Sequence, residues 1–142
     1  MSAPVITEAQ LRDRFLSVPF ARFLNIDLEL RGDELTIVMP YREDLIGNVL
    51  LPALHGGTLG ALLELVAVAT VTLKQGDAQL PKTIDITIDY LRSGRPVDTY
   101  ARAKVTRLGR RIASVHAEAW QHERSDPIAA LNGHFLLTQA DS

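Results

Sequence analysis

The 142 residues contain no cysteine, which excludes cystine scaffolds, thiolate zinc sites and cysteine nucleophiles. There is also no excess of positive charge. Fifteen Lys and Arg stand against seventeen Asp and Glu, for a net charge of −2, whereas a duplex nucleic-acid binder usually shows a strong basic excess. The opening residues, MSAPVITEAQ, lack the basic start and apolar core of a secretory signal, so a cytoplasmic location is expected. The longest apolar stretch, residues 59–73, is interrupted by Glu64 and is shorter than the ~20 residues of a bilayer span, so no membrane segment is expected. No GxSxG, GxxxxGK[ST] or GxGxxG pattern occurs, which leaves serine hydrolase, P-loop and Rossmann readings without support. His55, His116, His122 and His134 form no close-spaced pair and have no carboxylate at ligand spacing, so no metal is expected.

What remains suits one α+β domain over residues 1–142, with 46% hydrophobic residues and a length at which a core forms without disulfides. Thr7 is placed to cap a helix over residues 8–16, with Leu11, Phe15 and Leu16 on one side, ended near Pro19. Alternating stretches at 24–30 and 34–39 flank Arg31-Gly32-Asp33 and predict a hairpin. Residues 40–57, rich in Gly and Pro, predict a long loop. In residues 58–73, eleven of sixteen are apolar and Glu64 is the only charge, which predicts a helix buried on all sides, ending through Lys74-Gln75-Gly76-Asp77. Residues 83–90 alternate, with Ile84, Ile86, Ile88 and Tyr90 on one face and Thr83, Asp85, Thr87 and Asp89 on the other. Strands at 99–107, 112–121 and 128–138 follow as an antiparallel meander.

Two features of the buried helix carry chemistry. His55-Gly56-Gly57 precedes it, where either free amides serve an oxyanion or the glycines merely let the chain turn. Glu64 lies within it, where a carboxylate needs either a polar site or an arginine partner. Gly60, Ala61, Ala67 and Val68 share its face and leave room beside it. Gly56 and Glu64 are eight residues apart, about 12 Å along a helix at ~1.5 Å per residue, so one small reacting group cannot touch both in one chain. If both act on one carbonyl, two antiparallel copies of the helix must lie side by side, which implies a homodimer with interfacial sites. A basic concentration, Arg102, Lys104, Arg107, Arg110 and Arg111 with Arg92 and Arg95 nearby, is either a phosphate-binding hairpin or a solvated one.

The order of elements, with LPALHGGTLGALLELVAVAT and IDYLRSGRPVDTYARAKVTRLGRR, resembles the hotdog-fold acyl-CoA thioesterases of the phenylacetate-pathway (PaaI-type) group, over about residues 20–138. The most specific part is HGG with an acid nine positions after the His, followed by a strand ending in Tyr and a Gly-Arg turn. The resemblance implies a hotdog fold, an antiparallel sheet wrapped around a long central helix. It implies hydrolysis of an aryl- or medium-chain acyl-CoA, with Glu64 as nucleophile or general base and the Gly56 amide as oxyanion donor, His55 and Gly57 positioning the carbonyl. Thr83, Asp85 and Tyr90 would line the substrate channel, with Arg107, Gly109, Arg110, Arg111 and His134 near coenzyme A. The acyl group would occupy a groove formed by Gly60, Ala61, Leu63 and Ala67 and the other chain. No cofactor is implied, coenzyme A being part of the substrate, and homodimers and paired dimers are implied as assemblies. Two positions depart from the family pattern. Asn48 stands one place before the usual Asn or Gln, and Val68 stands where related enzymes often carry Ser or Thr. These departures keep open an alternative, a non-catalytic acyl-CoA-binding or sensor protein. A hydratase of the same fold would need a different arrangement of His and acid.

Overall fold

Thr7 opens the first helix through a reciprocal pair of bonds. Its Oγ1 accepts from the Gln10 N–H at 3.1 Å, and Gln10 Oε1 accepts from the Thr7 N–H at 2.9 Å. Helix α1 (Glu8–Leu16) follows and buries Leu11 and Phe15. The computed structural model describes residues 6–76 and 79–137, so Asp77 and Thr138, expected in a helix exit and a strand end, lie outside the described residues. Pro19 does more than end α1. Its fixed φ suits a first helical position, and a second short helix, α2 (Pro19–Phe23), begins there. The first strand therefore starts later than expected: Leu24 caps α2, Asn25 takes φ 56°, and β1 spans Asp27–Arg31. It pairs with β2 (Glu34–Met39) across Gly32 at φ 65°.

The expected long loop holds a turn of 3₁₀ helix (Glu43–Leu45) and a small hairpin of β3 (Ile46–Asn48) and β4 (Ala53–Leu54). Helix α3 then runs Gly56–Gln75, two residues longer at each end than the pattern predicts, and Gly76 closes it at φ 68°. Four strands complete the chain: β5 (Lys82–Tyr90), β6 (Thr99–Leu108), β7 (Ile112–Trp120) and β8 (Ala129–Leu136). The sheet order is β1-β2-β6-β7-β8-β5, antiparallel throughout. The expected meander β6-β7-β8 forms, and β5 lies beyond β8 as an edge.

The sheet wraps around α3 in the hotdog arrangement. Ala101, Ala113, Ala117, Ala119 and Ala129 are fully buried, and their small side chains let the helix approach the strands closely. Leu62, Leu63 and Val66 fill the space between, each such burial stabilising by about 2 kcal/mol. Helix α3 is not enclosed on all sides. Gly57, Ala61, Glu64, Leu65 and Val68 form a partly open stripe.

The two sheet edges differ. Beside β1, Arg12 of α1 donates to the Leu28 carbonyl at 2.6 Å and pairs with Asp27 and Glu8. Partial burial alone would lower the Arg12 pKa, but Asp27 and Glu8 outweigh it and hold it above its ordinary value. No described strand pairs with the outer edge of β5, whose Ile84 is half exposed.

Strand β5 also corrects the expected alternation. Thr83 pairs opposite Phe135 while Asp85 pairs opposite His134, so Ile84 is an extra residue, a β-bulge. Thr83 is thereby turned to the α3 side with Ile86, Ile88 and Tyr90, and Ile84 leaves the face on which strict period-2 reading placed it.

Candidate active site

His55 is the N-cap of α3, in extended conformation at φ −64° and ψ 129°. Its Nδ1 accepts from the Gly57 N–H at 2.8 Å, and its own N–H donates to the Leu45 carbonyl at 2.8 Å. Gly47 lets β3 pass this residue, since a Cβ there would stand 2.6 Å from His55 Cα. Of the two helix-start glycines, Gly57 thus has its amide taken by the imidazole. Among the described residues the Gly56 N–H has no partner, and it sits at the positive end of the helix dipole. The Tyr90 hydroxyl donates to the Gly56 carbonyl at 2.8 Å and ties the end of β5 to this turn.

Glu64 lies two turns further along α3, half-buried. The Thr83 hydroxyl donates to its Oε2 at 2.7 Å, and no ion pair to Glu64 forms among the described residues. The arginine-partner reading of Glu64 is therefore set aside. Val68 brings no hydroxyl to the carboxylate, but the bulge at Ile84 delivers one from the strand. Sequence reading missed this contact because period-2 alternation placed Thr83 on the opposite face. Gly60 lies between Gly56 and Glu64, and a Cβ there would stand 2.8 Å from Ile88 Cδ1. Helix and strand thus touch along one line, with the free amide and the carboxylate about 12 Å apart at ~1.5 Å rise per residue.

Other expected site residues are distributed differently. The Asn48 side-chain oxygen accepts from the Leu50 and Leu51 amides at 3.0 and 3.1 Å, so it holds the β3–β4 turn. Leu63 and Ala67, expected in the acyl groove, are fully buried in the core. The expected channel residues split: Thr83 and Tyr90 face α3, while Asp85 lies on the outer sheet face with its Oδ1 2.8 Å from His134 Nδ1.

Arg107, Gly109, Arg110, Arg111 and His134 do come together. With Ile112 and Ser114 they line an open hollow of about 680 Å³ at the β6–β7 tip. A second bulge, between Val105 and Arg107, places Arg107 opposite Ser114 on the outer face. Arg102 does not join them, since it bonds Thr36 and Glu34. Arg92 and Arg95 line a different hollow of about 480 Å³ with His122 and Asp126, where Arg92 pairs with Asp126 at 2.7 Å.

A free helix-start amide, a carboxylate on the same helix and a cationic hollow suit attack on a carbonyl joined to an anionic carrier. Comparison with known proteins agrees. The thioesterase superfamily model matches residues 51–128, more than half of the chain. A medium/long-chain acyl-CoA thioesterase, YigI of Escherichia coli, is 27% identical, covering 87% of this chain and 92% of its own. A solved structure of a thioesterase-superfamily protein superposes with a TM-score of 0.83 at 26% identity, covering 92% of this chain and 97% of the other. A protein from Chromobacterium violaceum superposes with a TM-score of 0.73 at 33% identity, covering 94% and 97%. The wrapped helix, the HGG turn with its acid and these relatives lead to one conclusion: the chain belongs to the thioesterase superfamily and is a thioester hydrolase of the hotdog fold.

Proposed function

We propose that the protein hydrolyses the thioester of an aryl- or medium-chain acyl-CoA to free acid and coenzyme A, at sites completed by two copies of the chain. Glu64 attacks the thioester carbon or activates the water that does, and the Gly56 N–H of the other copy holds the developing oxyanion. The carrying observation is the pair of polar groups on one helix, the Gly56 amide with no partner among the described residues and the Glu64 carboxylate held by a single hydroxyl, too far apart to meet on one carbonyl. The bare β5 edge and the open stripe of α3 support antiparallel pairing there, which brings Gly56 of one helix opposite Glu64 of its mate. The acyl chain lies against Ala61, Leu65 and Val68 of that stripe, and the name of the Escherichia coli relative favours an aliphatic chain. The basic hollow takes the phosphates of coenzyme A. A cytoplasmic location suits such a substrate.

The test uses two inactive variants. Glu64→Gln removes the carboxylate. Gly56→Pro removes the amide while keeping a residue favoured at the first helical position, and His55 is already extended as the residue before a proline must be. Each alone is expected to lose about 10²-fold or more in kcat, read as coenzyme A release from acyl-CoA esters. Co-refolded one to one, half of the dimers are mixed and each holds one intact site, so about a quarter of wild-type activity returns. No recovery would place amide and carboxylate in separate roles and refute the composite site.

A further inference from the structure

The first amides of an α-helix lie beyond reach of its own carbonyls, and their direction is set by the peptide units that carry them. Two successive units at the start of α3 decide where the Gly56 N–H points. The first joins the His55 carbonyl to the Gly56 N–H itself. Its carbonyl accepts twice from Thr58, from the backbone N–H at 3.0 Å and from the side-chain hydroxyl at 2.6 Å. The second unit joins the Gly56 carbonyl to the Gly57 N–H and is held at both ends. The Tyr90 hydroxyl donates to the carbonyl at 2.8 Å, and the amide donates to His55 Nδ1 at 2.8 Å. Bare backbone at Gly56 seats that tyrosine, since a Cβ there would meet the Tyr90 ring at 3.2 Å. Of the four polar groups in these two units, three are engaged, and the Gly56 N–H alone has no partner among the described residues.

We propose that Thr58 is a positioning residue for the hydrolysis, its hydroxyl holding and polarising the peptide unit whose N–H receives the oxyanion. This rests on the reading of the Gly56 amide as oxyanion donor and adds a residue to that machinery. A threonine side chain readily bonds the carbonyl three residues back in its own helix, so the contact is local in origin. Its effect here reaches the reaction. Carbonyl and amide of one peptide unit are conjugated and, in the trans form, point in opposite directions. Thr58 therefore grips the plane from the end away from the substrate and touches none of the reacting atoms. Drawing electron density toward the His55 oxygen also makes the Gly56 hydrogen more positive, and linked hydrogen bonds strengthen one another by roughly 10–30% each. An oxyanion donor contributes about 10²–10³ in kcat, so a gain of that order is worth about two- to eightfold. Tyr90 acts on the neighbouring unit, which it orients without polarising the Gly56 amide.

The experiment is steady-state release of coenzyme A from an acyl-CoA ester by full-length wild type, Thr58→Val and Thr58→Ser, with melting scans in parallel. Valine keeps the shape and loses the hydroxyl. It is expected to lose about two- to eightfold in kcat with KM unchanged, because the affected bond forms only as the oxyanion develops. Serine is expected to recover most of the rate. A merely structural hydroxyl would lower Tm in the valine variant and leave kcat alone. Adding Gly56→Pro removes the amide to be polarised, and in that background Thr58→Val is expected to cost no further kcat. Wild-type kcat in Thr58→Val, a serine variant as slow as the valine one, or an equal loss with and without the Gly56 amide would overturn the proposal. A slow Gly56→Pro variant would then leave the amide as oxyanion donor. Turnover of Gly56→Pro at the wild-type rate would remove that reading and this one together. Where Gly56→Pro does not fold, the amide nitrogen resonance of Gly56 decides: it is expected to shift in Thr58→Val and return in Thr58→Ser, and an unmoved resonance overturns the proposal.

Discussion

Replacing Thr83 with Val removes one hydroxyl and keeps the shape and strand preference of the side chain. In the structure that hydroxyl donates to Glu64 Oε2 at 2.7 Å, a short bond to a charged acceptor. Such bonds contribute about 1.5–3 kcal/mol, and because both groups are reached by solvent the lower end applies, equivalent to about a tenfold loss in kcat/KM. Stability falls by no more than about 1.5 kcal/mol, since Thr83 is exposed and water replaces the lost bond, which lowers Tm by about 5 °C or less. The assay is release of free thiol from an acyl-CoA ester, with thermal melts in parallel, on wild type, Thr83→Val and Thr83→Ser. Serine keeps the hydroxyl on the same face of the bulged strand and is expected to recover most of the rate. A valine variant that turns over like wild type, or a serine variant as slow as the valine one, would refute the assignment of this hydroxyl to the carboxylate.

Two further predictions concern the scaffold. Gln121, buried after β7, accepts from the Arg95 N–H and donates to the Arg95 carbonyl, both at 2.9 Å, and donates to Thr99 Oγ1 at 3.1 Å. Gln121→Leu leaves these groups unpaired at a cost of about 2–4 kcal/mol, expected as a Tm lower by roughly 10 °C in a melting scan. Gly133→Ala would place a Cβ 2.8 Å from the Asp85 backbone oxygen, which cannot swing aside, so about 1–3 kcal/mol is lost and amide exchange in β5 should quicken before that in β6.

Much of the fold is legible because local and long-range demands coincide. Thr7 caps where a threonine three residues before a glutamine should, and β2 spans the residues its alternation marks. The HGG turn and Glu64 are likewise visible, since glycine pairs and a lone carboxylate in an apolar helix are conspicuous. Less legible are features where one residue alters the count. Pro19 reads equally as a stop and as a first helical residue. Ile84 is an extra residue that nothing in its own identity announces, and it changes which neighbours Thr83 and Asp85 meet. The burial of Leu63 and Ala67 is set by which side of α3 the sheet covers, a tertiary fact that helical spacing alone leaves undetermined.

The unequal edges of the sheet have a consequence for how far strand pairing can spread. β1 is five residues long, carries Asp27, Glu29 and Arg31, and lies under Arg12 of α1, so it is a poor template for another strand. β5 is nine residues long, and no described strand pairs with its outer edge. The sheet is therefore monovalent. A chain with two welcoming edges would polymerise into a ribbon, whereas in the proposed dimer pairing through like edges would use up the single valence, and growth by strand addition would end at two copies.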